Sequence, residues 1–207
     1  MISETAGLED YPWSVRNNKC KGTESRQTMK FETVLKEIAS TIVYLAVIFA
    51  LTFLFITFVA QRTEVSGQSM ENTLQDGDSL IVDKVTYRFS DPSRFDIIIF
   101  PYQYGKNQYF IKRVIGLPGE TVRVDESGNI YINGTLLEEH YGAEVIQDPG
   151  RALDGVTLGP DEYFVMGDNR NHSMDSRDIS VGNIHKDKIL GKAFIRIYPF
   201  SKFGGVD

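Results

Sequence analysis

The chain has 207 residues, a net charge of −6, 42% apolar residues and a single cysteine, Cys20. An acidic balance without a basic stripe argues against a nucleic-acid partner, because binding a phosphate backbone needs clustered lysine and arginine. One thiol leaves no internal disulfide and no metal site built on cysteine.

Residues 1–28 are polar, rich in Ser, Thr, Asn and charged side chains, and read as a flexible tail despite Trp13. From Ile38 to Ala60 no charged residue occurs over 23 positions. As a helix this run rises about 35 Å, more than the roughly 30 Å hydrocarbon core of a bilayer. A buried helix of a soluble core would keep a polar stripe, and this one offers only Ser40, Thr41, Thr52 and Thr57. A cleavable signal peptide would have a shorter apolar core and a shorter leader, and Phe58-Val59-Ala60 lacks the small-x-small exit. Residues 29–61 are therefore expected to form an uncleaved membrane anchor with its lead-in. Arg16, Lys19, Lys21, Arg26, Lys30 and Lys36 precede the span, whereas only Arg62 follows within twenty residues. The positive-inside rule then puts the N-terminus in the cytoplasm and residues 62–207 outside the plasma membrane.

The outer segment, about 147 residues, is one domain's worth of chain. Short β-branched or apolar runs at Ser79–Thr86, Arg94–Pro101, Gln108–Ile115, Thr121–Asp125, Asn129–Ile132, Glu162–Met166 and Ile189–Tyr198 are bounded by turn residues. Glu126-Ser127-Gly128 and Asn133-Gly134 are hairpin signals. The expected class is mostly β: a folded antiparallel sheet or barrel behind one N-terminal transmembrane helix.

Three stretches carry chemistry. Ser69 lies in the Gly-flanked turn Ser66-Gly67-Gln68-Ser69-Met70, where it is either an ordinary turn serine or a nucleophile set beside backbone N–H groups that could stabilise an oxyanion. Lys112 lies inside the strand pattern Phe110-Ile111-Lys112-Arg113-Val114, and alternation places Phe110, Lys112 and Val114 on one face. Such a lysine either snorkels to an edge or is desolvated. Desolvation that lowers its pKa from ~10.4 to ~8 costs about 3 kcal/mol and makes it a base able to activate a serine without histidine. Arg113 cannot do this, because a guanidinium stays protonated, and Lys84 has Asp83 beside it and no apolar pocket in view. The third stretch, Gly167-Asp168-Asn169-Arg170-Asn171-His172-Ser173-Met174-Asp175-Ser176-Arg177, is either a solvated loop or an ordered polar network.

In this order, Ser69-Met70 after an anchor, Lys112-Arg113 before Gly-Leu-Pro-Gly-Glu, and Gly-Asp-Asn-Arg through Asp-Ser-Arg resemble bacterial type I signal peptidase of peptidase family S26, over roughly residue 35 to the C-terminus. The single span and the short stretch between Gly119 and Gly167 suit the compact form typical of Gram-positive bacteria. The resemblance implies a membrane-bound serine endopeptidase with a Ser-Lys dyad that needs no cofactor and no metal. Its partners would be membrane lipid and the signal peptides of exported preproteins, cut after small residues of the Ala-x-Ala type. It implies Ser69 as nucleophile, Lys112 as general base, Ser173 as the serine that orients the lysine, and Asp175 with Arg177 as the pair that ties the site together. The Ser69 N–H and the region of Gly67 would form the oxyanion hole, and Val65, Met70, Leu74, Phe110 and Ile111 would wall shallow substrate pockets. Phe100, Tyr102, Tyr104, Tyr109 and Phe110 either sit at the lipid surface near the site or pack in a core.

Asn72 departs from the family pattern, which usually has proline there; asparagine suits a turn and removes no reacting group. His172 has no implied role, and lysine at 112 separates the chain from the endoplasmic-reticulum branch, whose base is histidine. Two alternatives stand beside this reading: a self-cleaving Ser-Lys peptidase like the SOS-response repressors, which share the fold but are soluble, and a non-catalytic anchored binding domain of the same fold.

Overall fold

A computed structural model of the chain describes residues 18–142 and 144–206. The chain divides between Phe53 and Leu54 into two units. The described residues of the N-terminal unit are helical. Helix α1 (Asn18–Phe58) starts inside the stretch expected to be a tail, because after Asn18 only Gly22 interrupts a run of helix-tolerant residues. Residues 1–17 of that expected tail lie outside the described residues. Within α1, the 25 residues Phe31–Phe55 are on average apolar enough and long enough to cross a bilayer, and none of their most apolar stretch is buried.

The second unit is built from short strands: β1 (Ala60–Glu64), β2 (Ser79–Asp83), β3 (Ile97–Pro101), β4 (Tyr109–Gly116), β5 (Thr121–Val124), β6 (Ile130–Ile132), β7 (Thr135–Leu136), β8 (Val156–Thr157), β9 (Glu162–Met166), β10 (Ile184–His185), β11 (Gly191–Tyr198) and β12 (Gly204–Gly205). A larger antiparallel sheet has the order β1-β2-β11-β3-β4-β9-β10, with β12 added on β11, and a smaller one has the order β7-β6-β5-β8. The mostly antiparallel β architecture expected from the strand pattern is thus the fold of this unit.

Two strands end earlier or start later than their composition suggests, each for a local reason. The Asp83 carboxylate accepts the N–H groups of Val85 and Thr86 and the Thr86 hydroxyl, so the chain turns after β2 and Thr86 begins a one-turn helix, α2 (Thr86–Phe89), rather than ending a strand. Phe95 has φ +74°, so β3 starts at Ile97 rather than Arg94. The Asn133-Gly134 turn forms as its composition demands, with both residues at positive φ, 51° and 82°.

β4 positions the site. It pairs with β3 from Arg113 through Tyr109, but with β9 only from Arg113 onward, where Arg113 faces Met166 and Val114 faces Val165. The N-terminal half of β4, Tyr109–Lys112, therefore keeps one edge unpaired. Ile97 and Ile99 pack with Val65, Met70, Leu74, Leu80 and Ile111 on one face, while Ile98, Phe100, Phe110 and Val114 pack on the other. The period-2 alternation of strands makes that division.

Candidate active site

The chain between β1 and β2 forms the loop that carries Ser69. Its ends are zipped by the Val65 N–H to the Asp78 carbonyl at 2.8 Å and the Gly77 N–H to the Val65 carbonyl at 2.9 Å. Met70 and Leu74, 1% and 0% exposed, peg the loop into the core beneath, and the Met70 carbonyl accepts the N–H groups of Thr73 and Leu74. Between these anchors Gly67 takes φ +98°, a region a side chain would strain, and its N–H donates to Asp76 Oδ1 at 2.8 Å. That N–H is committed, whereas the Ser69 N–H has no protein acceptor among the described residues. Asn72 takes φ +96°, which a proline ring, fixed near −65°, cannot adopt. Asparagine at this position thus goes with a different local backbone and is not a neutral exchange for proline.

Lys112 reaches this loop from the unpaired edge of β4. Its Nζ lies 2.7 Å from Ser69 Oγ, donates to the Ile111 carbonyl at 3.1 Å and sits 4.9 Å from the Phe110 ring centroid. The residue is 3% exposed. Burial pulls its ammonium down from 10.5 to about 8 because desolvation penalises the charge, and the carboxylates of Asp175 and Asp168 pull the other way without cancelling the effect. When the ammonium gives up a proton, the same short contact lets the Ser69 hydroxyl donate to the neutral amine.

The Gly167–Arg177 stretch is an ordered network. The Arg113 guanidinium grips Asp168 through Nε at 2.9 Å and Nη2 at 2.8 Å, both side chains fully buried, and Nη1 donates to the Phe95 carbonyl. The Thr73 hydroxyl donates to Asp168 Oδ2 at 2.5 Å, which ties the Ser69 loop to this pair. The Asn169 N–H donates to the Ser69 carbonyl at 3.1 Å. Asp175 accepts from Arg177 Nε and Nη2, each at 2.9 Å, and from the Gly167 N–H at 3.1 Å. Gly167 must lack a side chain, because a Cβ there would overlap the Ser69 carbonyl and Ser173 Oγ.

The structure brings Ser69, Lys112, Asp175 and Arg177 into one site but gives Ser173 a different environment from the one expected. Its Oγ is buried with no hydrogen-bond partner among the described residues, and Lys112 bonds to Ser69 and Ile111 instead. Asp168, Thr73 and Asn169 are site residues that the sequence reading did not single out. The available signal was Arg113 itself, since an arginine inside an apolar strand requires a buried carboxylate.

A cleft of about 590 Å³ opens beside Ser69. Val65, Met70, Phe110 and Ile111 line it, as do His172 and Met174. Leu74 does not line it: fully buried, it belongs to the core under the loop. The aromatic residues divide. Phe100 is buried and Phe110 stacks on Tyr102 at 4.6 Å, while Tyr104 and Tyr109 are 73% and 56% exposed.

Residues 35–198 match the family described as signal peptidase, peptidase S26. The chain is 44% identical over 156 residues to the signal peptidase I of Leptolyngbya laminosa, covering 72% of this chain and 73% of that one. It is 42% identical over 153 residues to the probable signal peptidase I-2 of Synechocystis sp., covering 72% and 67%. It is 37% identical over 191 residues to the signal peptidase I of Bacillus amyloliquefaciens, covering 87% and 96%. With the unburied apolar helix α1, these relatives make the chain a membrane-anchored protein. It belongs to the signal peptidase family, peptidase S26.

Proposed function

We propose that the protein is a membrane-anchored serine endopeptidase that removes N-terminal signal peptides from exported preproteins, with Ser69 as nucleophile and Lys112 as its general base. The observation that carries this reading is the 2.7 Å contact between Ser69 Oγ and the Nζ of a buried lysine held at about 8, opening onto a peptide-sized cleft. The basic residues ahead of the span favour a cytoplasmic N-terminus, with residues 62–207 on the outer side of the membrane.

The unpaired edge of β4 at Tyr109–Lys112 offers backbone groups to which an extended peptide adds as another strand. Its alternate side chains then face Val65, Met70, Phe110 and Ile111. Bulky apolar walls of this kind leave room for small side chains such as those of Ala-x-Ala. Neutral Lys112 takes the Ser69 hydroxyl proton as Oγ bonds to the scissile carbonyl carbon, and the oxyanion accepts from the Ser69 N–H. The ammonium then protonates the leaving amine as the C–N bond breaks. A water deprotonated by the same lysine attacks the ester and releases Ser69. Asp175, Arg177, Arg113 and Asp168 hold these groups in place.

The test is cleavage of a preprotein whose signal ends in Ala-x-Ala by the detergent-purified chain, read by product mass. A single cut after the small residue is expected, with Ser69→Ala and Lys112→Met each lowering the rate by roughly 10³-fold or more. A folded parent that leaves the preprotein intact would overturn the proposal.

A further inference from the structure

Between β7 and the 3₁₀ turn at Gly150–Ala152, the described residues of 137–149 form neither helix nor strand. A segment this long without secondary structure is uncommon in a compact domain unless it has a job. This strap is tied at several points to the Gly167–Arg177 network. Glu139 pairs with Arg170 at 2.7 Å, both nearly buried, and Arg170 Nε donates to the Gly167 carbonyl at 3.0 Å. The Gln147 N–H donates to Asn171 Oδ1, and Asn171 Nδ2 donates to the Val145 carbonyl, at 2.9 and 3.0 Å. The Asp148 carbonyl accepts from Arg177 Nη1 at 3.0 Å.

At the middle of the strap the Tyr141 ring covers the Arg113 guanidinium, 3.6 Å from guanidinium carbon to ring centroid, and packs against Phe95 at 5.1 Å. The Tyr141 hydroxyl makes no hydrogen bond among the described residues, so the ring alone does the covering. Arg113 is 0% exposed, and Tyr141 forms an outer wall of its ion pair with Asp168. That pair touches both reacting groups through the chain: Arg113 follows Lys112 directly, and Asp168 holds Thr73 of the Ser69 loop.

We propose that Tyr141, with Glu139 anchoring its strap, is a positioning residue for the Ser69–Lys112 pair, its ring excluding water from the polar layer on which both rest. The proposal rests on the peptidase reading above. The carboxylates that act on Lys112 are Asp175 and Asp168; Arg177 and Arg113 pair with them, Arg170 pairs with Glu139, and Glu64 and His172 line the cleft. Removing the ring admits water behind Arg113, raises the local dielectric and solvates the ammonium better, so Lys112 returns toward an ordinary lysine. The Asp168 contact that fixes Thr73 of the Ser69 loop meets the same water and is weakened.

The experiment is steady-state cleavage of an Ala-x-Ala preprotein by the full chain in detergent from pH 6 to 10, normalised to the folded fraction from a thermal melt. Tyr141→Ala is expected to lower kcat about tenfold with KM nearly unchanged, and to move the midpoint of the pH–rate profile upward by about half a unit or more. Tyr141→Phe, which keeps the ring, should recover most of the loss. Glu139→Gln, which loosens the strap but leaves the ring, should lower kcat by less than Tyr141→Ala, and His140→Ala, exposed on the same strap, should match the parent. A Tyr141→Ala enzyme with parental kcat and midpoint overturns the proposal. So does one whose loss tracks its folded fraction alone, with the midpoint unmoved. Cleavage by a Ser69→Ala control would instead overturn the peptidase reading, which keeps the two failures apart.

Discussion

Lys112 and Arg113 are consecutive residues of β4, and the two sides of that strand treat their charges in opposite ways. On the network side Arg113 meets Asp168 through two hydrogen bonds, with Thr73 and the Phe95 carbonyl completing its donors. On the cleft side Lys112 meets a hydroxyl, a carbonyl and an aromatic ring, with no carboxylate in hydrogen-bond range. A buried cation with a matched carboxylate stays charged and serves as structure. One buried against a hydroxyl and a ring is destabilised as a cation and is available as a base. Strand alternation is what lets one short segment hold both.

The largest expected effect breaks the paired side. Arg113→Met leaves Asp168 buried without its partner and should cost about 3 to 5 kcal/mol of stability, measured by urea unfolding of the detergent-solubilised chain. A cost below about 1 kcal/mol would mean that water already reaches Asp168.

The unpaired side should respond with the opposite sign. The folded chain binds the Lys112 proton less tightly than the unfolded chain does, since its pKa is about 8 in place of 10.5. Between those values the unfolded state carries more protons, so stability rises with pH, and below about 8 the full penalty, on the order of 3 kcal/mol, is present. Lys112→Met removes the penalty. It should be more stable than the parent at pH 7, and the difference should shrink toward pH 10.5.

The smallest effect concerns the loop that meets both sides. At φ +96°, Asn72→Pro should cost about 1 to 3 kcal/mol or force the loop into another conformation, whereas Asn72→Gly should be neutral or slightly stabilising. Comparing melting temperatures of the two variants checks this, and a proline variant as stable as the parent would show that the loop has a second conformation within reach.

What the sequence disclosed and what it hid follow from distance along the chain. The anchor, the β class and the candidates Ser69 and Lys112 were legible because each rests on local pattern: an uncharged run, alternation, a lysine where an apolar residue belongs. The Arg113–Asp168–Thr73 cluster was not, since its members are 55 and 40 positions from Arg113 and only the register of β4 against β9 brings them together. Leu74 looked like a pocket wall because it is apolar and near Ser69; the turn at Met70–Leu74 instead points it into the core. The covering role of Tyr141 leaves no local trace, because an aromatic residue in an irregular segment reads the same whether or not a guanidinium lies beneath it.

The most direct test of the contrast between the two sides of β4 is the pH dependence of kcat/KM for preprotein cleavage by the parent chain. If Lys112 is the base, kcat/KM should climb about tenfold per pH unit at low pH and level off above a midpoint near 8. A midpoint between about 6 and 7 that disappears in His172→Gln would contradict this, and would assign the proton transfer to the one histidine that lines the cleft.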